Sequence, residues 1–321
     1  MRKILAVIIG LVVLFILLSG GMYFLFPETS FGLVIKTGRY SAGLIKQEIH
    51  VDGHNIVYLE GGKGETVLLL HGFGANKDNW TRFAKHLTGN YHVVIPDIPG
   101  FGESSQIQNE SYAAEHQLKR IDRFMAQLKL DRFHVAGNSM GGMLAAMYGA
   151  TYPQKVLSLA LLAPGGVGSP NQSEALILLQ KGINPLLTGN REDFDRLIEL
   201  CFAKTPYLPS RFKKVLAADA VAHRDFNKKI WDDMFWPPTK ESLSARENLL
   251  APYLPRIQAP VLIVWGDTDK VLDVGGVSVL EKNLRNCQTI IMKNTGHAPM
   301  LEKPRETASY YIAHLRKRGK S

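Results

Sequence analysis

A serine framed by Gly137, Asn138, Met140 and Gly141 follows a short strand-like run, Arg132 to Ala136, and precedes a helix-like run, Met140 to Tyr152, rich in Ala, Met and Gly. Strand, sharp turn and helix is the setting in which Gly-x-Ser-x-Gly becomes a nucleophile elbow. The glycines let helix and strand approach closely, while Ser139 sits on a strained turn with its hydroxyl exposed. The bare pattern is short, so its surroundings decide what it means.

A serine hydroxyl is a poor nucleophile until a base takes its proton and a third group orients that base. On an elbow of this kind the chain order is nucleophile, acid, histidine. Downstream, the apolar run Pro260 to Trp265 leads into a turn carrying Asp267 and Asp269. Asp269, three residues past Gly266, is the expected acid, with Asp267 as the alternative. Further on, the strand-like run Gln288 to Met292 precedes Asn294, Thr295, Gly296 and His297. His297 is the expected base; the alternative is a surface loop histidine. Upstream, Thr66 to Leu70 leads into His71, Gly72, Phe73 and Gly74. The backbone N–H of Phe73, together with that of Met140, is expected to form an oxyanion hole. That contribution comes from backbone, so the side chain at 73 is not specified by the chemistry. His71 is a competing base whose expected role is to brace this loop by hydrogen bonding to backbone. The histidines at 50, 54, 86, 92, 116 and 223 show no mutual spacing.

With these residues in view, the chain resembles an α/β-hydrolase, and within that superfamily the membrane-anchored monoacylglycerol lipases and related bacterial lipases. Four stretches carry the resemblance: His71 to Trp80, Gly137 to Gly142, Trp265 to Asp273 and Gly296 to Pro304. Together they cover most of residues 45 to 315. The long match from Lys270 onward, through Asn286, Cys287 and Gln288 to Thr307, is the part closest to the monoacylglycerol lipases. Ser139 argues against the dehalogenase and epoxide-hydrolase branches, which use an aspartate nucleophile. The acyl-binding pocket lies in the most divergent region, so chain-length preference does not carry over.

Ile4 to Phe26 is an uncharged stretch of 23 residues. As a helix it would run about 34 Å, enough for a hydrocarbon core of about 30 Å. Arg2 and Lys3 precede it, so the rival to an uncleaved signal-anchor is a cleaved signal peptide and secretion. The stretch is longer than a typical signal core and ends in no clean small-x-small site, which favours the anchor. The positive N-terminus places the enzyme on the extracytoplasmic side, although Lys36, Arg39 and Lys46 weaken that bias. Cys201 and Cys287 are read as separate buried thiols, the alternative being a structural disulfide between them.

About 295 residues remain after the span, enough for one large α/β core with an inserted subdomain. The formal charge of +9 comes with no basic stripe of interleaved aromatics, so nucleic acid is not an expected partner. Attraction to anionic headgroups, worth about 1 kcal/mol per basic residue at the surface, explains it better. Arg316 to Lys320 joins in or is a solvated tail.

Strands alternate with helices, which predicts a mostly parallel sheet with helices on both faces. An opening hairpin is expected at 46–51 and 55–60, and core strands at 66–70, 92–96, 133–136, 156–163, 261–265 and 289–292. Leu118, Ile121, Met125 and Leu128 mark a helix over 114–128. Asp97 to Gly102 is a loop with no expected catalytic role. Between Pro164 and Pro260 the alternation stops, and helices are expected at 175–179, 194–202, 215–222 and 229–236. An insertion here, at about 167–255, is expected to act as a lid, with Met234 to Pro238 dipping into lipid, lining the pocket or simply packing on the core.

The expectation is therefore an N-terminal anchor over 1–30 and a hydrolase domain over 45–315 that cleaves lipid carboxylic esters, monoacylglycerols foremost. It needs no cofactor or metal, its partners are the lipid ester and a membrane surface, and oligomeric state is left open. The alternatives are a triacylglycerol lipase or general carboxylesterase, a carbon–carbon bond hydrolase of ring-cleavage products, and a non-catalytic binding protein on the same fold. Ala298 after the Gly-His pair, where ring-cleavage enzymes tend to carry an aromatic residue, weighs against the second of these.

Overall fold

The computed structural model describes residues 4–5, 8–9, 19–235 and 248–318. Eight strands form one sheet in the order β1-β2-β4-β3-β5-β6-β7-β8. They are β1 (Leu44–Val51), β2 (His54–Gly61), β3 (Thr66–Leu70), β4 (His92–Pro96), β5 (Phe133–Asn138), β6 (Val156–Leu162), β7 (Val261–Gly266) and β8 (Cys287–Met292). β1 pairs with β2 and β2 with β4 antiparallel; every other neighbour is parallel. Each predicted strand is present within a few residues of its expected ends.

The central strands read as unbroken apolar runs because both of their faces are covered. β3, β5 and β7 are buried throughout. Alternate residues feed two cores: Leu68, Leu70, Val261 and Ile263 face one, while Val67, Leu69, Leu262 and Val264 face the other. On the first face lie α3 (Ala114–Gln127), α4 (Met140–Thr151) and α9 (Gly276–Asn283). On the second lie α2 (Thr81–Ala84), α10 (Pro299–Glu302) and α11 (Pro304–Arg318). Helix α4 is buried on all sides from Met140 to Ala150. That explains its Ala, Gly and Met content, since a helix apolar all round belongs inside a core.

Between β6 and β7 the chain forms α5 (Glu174–Gln180), α6 (Arg191–Cys201), α7 (Ser210–Ala222) and α8 (Arg224–Phe235). All four expected helices of this insertion are present, and longer than anticipated. Trp236, Pro237 and Pro238 lie outside the described residues.

Not anticipated from the sequence are α1 (Pro27–Ser41), which buries no residue of its own, and the helices α10 and α11 after the last strand. Helix α1 docks through Arg39, which donates to both oxygens of Asp78 at 2.7 and 2.6 Å. Phe31 meets Phe212 of α7, with ring centroids 5.4 Å apart. Most of the apolar stretch Ile4 to Phe26 lies outside the described residues. Among the described residues no helix is long and apolar enough to cross a membrane. Cys201 and Cys287 are both free, and half-buried rather than fully buried.

Candidate active site

Ser139 follows the last residue of β5, Asp269 follows β7, His297 follows β8 and Phe73 follows β3. All four strands are parallel, so these residues meet at one edge of the sheet, beyond the strand carboxyl ends. Ligands of open α/β sheets bind in that crevice.

Ser139 has φ 55° and ψ −119°, a conformation L-residues avoid and one that costs on the order of 1–3 kcal/mol. The surroundings impose it. Its N–H donates to Leu162 O at 3.0 Å, and its carbonyl accepts from Met143 N at 3.0 Å and Gly165 N at 2.9 Å. The flanking glycines make the turn possible. A Cβ on Gly137 would lie 2.1 Å from Gly141 O, and one on Gly141 would lie 2.2 Å from Leu70 O. Helix and strands thus touch backbone to backbone, leaving no space for a side chain.

His297 and Asp269 are joined: His297 Nδ1 lies 2.8 Å from Asp269 Oδ2. That carboxylate is fully engaged, since Trp265 Nε1 donates to Oδ2 at 3.1 Å, and Val271 N and Leu272 N donate to Oδ1 at 2.8 and 3.0 Å. Four donors converge on this one buried carboxylate and fix its orientation. Asp267 points elsewhere, accepting from Thr295 N at 3.4 Å with Lys293 Nζ at 3.7 Å. The structure therefore brings Asp269, not Asp267, to the imidazole.

His71 is fully buried. Its Nε2 accepts from Ile98 N at 3.0 Å, so its Nδ1 carries the proton and donates to Gly72 O at 2.8 Å. Burial lowers its pKa, outweighing the pull of nearby Asp97. A neutral imidazole with both nitrogens occupied braces the loop, as its sequence setting indicated.

Met140 opens α4, so its N–H has no acceptor within the helix. Phe73, Ser139 and Met140 line one cavity of about 930 Å³, counting its open mouth. Ser169, Asn171, Ser173 and Asp273 contribute to its polar lining; Val167, Leu176, Leu179, Leu186, Trp231, Phe235, Val271 and Leu272 contribute to its apolar lining. The ring of Phe73 packs edge-on against Phe101, Trp231 and Phe235, at 5.6, 5.4 and 6.3 Å between centroids. Its backbone belongs to the sheet crevice, while its side chain belongs to the apolar wall shared with the insertion. Among the described residues no group of three or more metal-ligating side chains is gathered.

Two contributors were not singled out from the sequence. Asn138 Nδ2 donates to Leu162 O at 3.0 Å and to His297 O at 2.9 Å, tying the elbow to the histidine loop. Glu302 accepts from Gly296 N at 2.6 Å and Ala203 N at 2.9 Å. Both lie inside the stretches that carry the family resemblance, but only the folded chain shows their partners.

Residues 65–304 match a protein family described as the alpha/beta hydrolase fold. Lipase 1 of Psychrobacter immobilis is 37% identical over 272 residues, spanning 84% of this chain and 83% of that protein. Human monoacylglycerol lipase ABHD6 is 30% identical over 305 residues, 91% and 88% of the two chains. A solved structure of a membrane phospholipase A, described as a bacterial virulence factor, superposes with a TM-score of 0.87 at 43% identity and covers 100% of both chains.

Proposed function

The chain belongs to the alpha/beta hydrolase fold family and is a carboxylic-ester hydrolase, and from that premise we propose that it is a membrane-tethered serine hydrolase of lipid esters, with monoacylglycerols as its substrates. The observation that carries the reading is the contact of His297 Nδ1 with Asp269 at 2.8 Å, at the same sheet edge as a strained serine. Ser139 Oγ attacks the ester carbonyl as His297 Nε2 takes its proton. Asp269 holds the imidazole in the tautomer with Nδ1–H and stabilises the imidazolium. The Phe73 and Met140 amides receive the developing oxyanion. His297 then protonates the departing alcohol, and water hydrolyses the acyl-enzyme by the same route.

The lining of the cavity supports a lipid ester: an apolar wall suits an acyl chain, and Ser169, Asn171 and Asp273 suit the hydroxyls of a glycerol. We assign residues 1–30 to the anchor, 45–315 to the hydrolase domain and about 167–255 to a lid. The uncharged stretch Ile4 to Phe26 supports the anchor, with the catalytic domain on the extracytoplasmic side. Exposed Phe24, Leu25 and Phe26 at its end, with Leu33 and Val34 just after it, form an apolar surface that suits lipid contact. The 43% identical phospholipase favours a second substrate reading, the acyl esters of glycerophospholipids.

The test is fatty-acid release in detergent micelles from monooleoylglycerol, trioleoylglycerol and a dioleoyl phospholipid, with Ser139→Ala as control. Release fastest from the monoacyl ester and absent in the variant is expected. Faster release from the phospholipid transfers the assignment to the second reading, and equal release by Ser139→Ala rejects the nucleophile.

A further inference from the structure

The histidine loop is held from outside the sheet. His297 N–H donates to Cys201 O, the last residue of α6, at 2.8 Å. Two residues further along, Ala203 N–H donates to Glu302 Oε2 at 2.9 Å. The other oxygen, Oε1, accepts from the N–H of Gly296 at 2.6 Å. A Cβ on Gly296 would lie 2.7 Å from Cys201 O and 2.8 Å from Ala203 N, so insertion and loop pack main chain on main chain. Glu302 itself begins no catalytic step. It sits at the end of α10, with its own N–H on Ala298 O at 3.0 Å.

We infer that Glu302 is a positioning residue for His297, and that through it the end of α6 in the insertion sets the histidine in register with Ser139. This rests on the ester-hydrolase reading above. The chemistry of the carboxylate explains why a glutamate is needed. Its two oxygens each accept from a backbone N–H, one on either side of the joint. A glutamine of the same shape offers one acceptor and turns an NH₂ toward the second donor, leaving that N–H opposed. The groups facing Glu302 are the Cys201 thiol, Asp269 and Lys303. The insertion is therefore more than a cover over the cavity: its α6 end completes the loop that carries the base. A movement of α6 away from the core would break His297 N–H···Cys201 O and Ala203 N–H···Glu302 together.

The experiment compares full-length wild type, Glu302→Gln, Ala203→Pro, the double variant of these two and Ser139→Ala in detergent. It reads kcat and KM on a soluble chromogenic ester, the rate of fluorophosphonate labelling, and Tm. Proline at 203 removes the insertion-side donor and turns its ring Cδ toward Glu302 Oε2, and Phe202, at φ −119° and ψ 138°, already has the extended backbone that a following proline demands. Glu302→Gln is expected to lower kcat and the labelling rate about 10- to 100-fold with KM within about twofold, as for loss of base alignment. Ala203→Pro is expected to lower both about 3- to 10-fold, and the double variant to be no worse than Glu302→Gln, because both act through one joint. A fall in Tm with unchanged kcat per labelled site overturns the inference, leaving Glu302 a structural residue. Normal turnover in Ala203→Pro beside a slow Glu302→Gln overturns the part played by the insertion. Wild type that neither labels nor hydrolyses overturns the hydrolase reading and the inference with it. Wild type that labels while Glu302→Gln labels equally fast overturns the inference alone.

Discussion

The serine elbow and the histidine loop lie at the same sheet edge but are fixed in different ways. At the elbow everything is core: Gly137 and Gly141 press backbone against backbone, and β6 supplies the acceptor for Ser139 N–H. Around His297 the sheet supplies little beyond Asn138 Nδ2 on the carbonyl of His297. The remaining holds come from the acid loop, from Glu302 and from the end of α6. Ser139 is thus preorganised by the part of the fold that buries the most apolar surface. His297 is preorganised by an inserted segment joined through hydrogen bonds. Damage on the first side should be felt as loss of folding, and on the second as loss of turnover in a folded protein.

The largest break on the elbow side is Gly141→Ala. A Cβ 2.2 Å from Leu70 O and 2.5 Å from His71 O meets only backbone, which cannot move aside without parting α4 from β3. A loss above about 4 kcal/mol is expected, seen as failure to obtain folded protein or a collapse in Tm. Ser139→Ala, at the centre of the turn, should instead leave Tm nearly unchanged and remove activity by at least about 10³-fold. On the histidine side, Asp269→Asn should keep the fold and lower kcat by about 10³- to 10⁴-fold, because an amide nitrogen facing Nδ1 favours the wrong tautomer. Asp267→Asn, whose carboxylate meets Thr295 N and Lys293 rather than the imidazole, should stay within about twofold by the same assay. Equal losses from the two aspartate variants would dissolve the distinction between them.

Much of this was readable from sequence, and the limit has a physical cause. Strands β3 to β7 announce themselves because burial on both faces demands continuous apolar runs. The order Ser139, Asp269, His297 follows from where turns fall after those runs. Helix α1 was missed because a helix that buries none of its residues leaves no apolar stripe to detect. Glu302 and Ala203 were missed for another reason: their bond spans 99 positions, uses a backbone donor, and so leaves no residue-type signature at one end. Asn138 sat within the recognised motif, but its partner, the carbonyl of His297, is invisible until the chain is folded.

The smallest effect sharpens the comparison by touching neither region. His314 lies on α11, buried on the second face of the sheet. Burial pushes its pKa down from 6.5 to about 4, with His134 adding to the fall. A histidine depressed on folding binds its proton in the unfolded chain first, so the folded state is at full advantage above the unfolded value near 6.5. That advantage is lost as pH falls from 6.5 toward about 4, with a slope of up to about 1.4 kcal/mol per pH unit for one proton. His71, also lowered by burial, has the same sign. Replacing His314 by leucine should therefore flatten the pH dependence of unfolding free energy between pH 6 and 4.5, by up to about one proton. Urea unfolding at several pH values reads that slope directly. Turnover per labelled site at pH 7.5 should not change, because α11 braces the sheet from behind and meets neither Ser139 nor His297. An undiminished slope would mean that His314 is solvated in the native state, and a fall in turnover would mean that the second face also sets the geometry of the site.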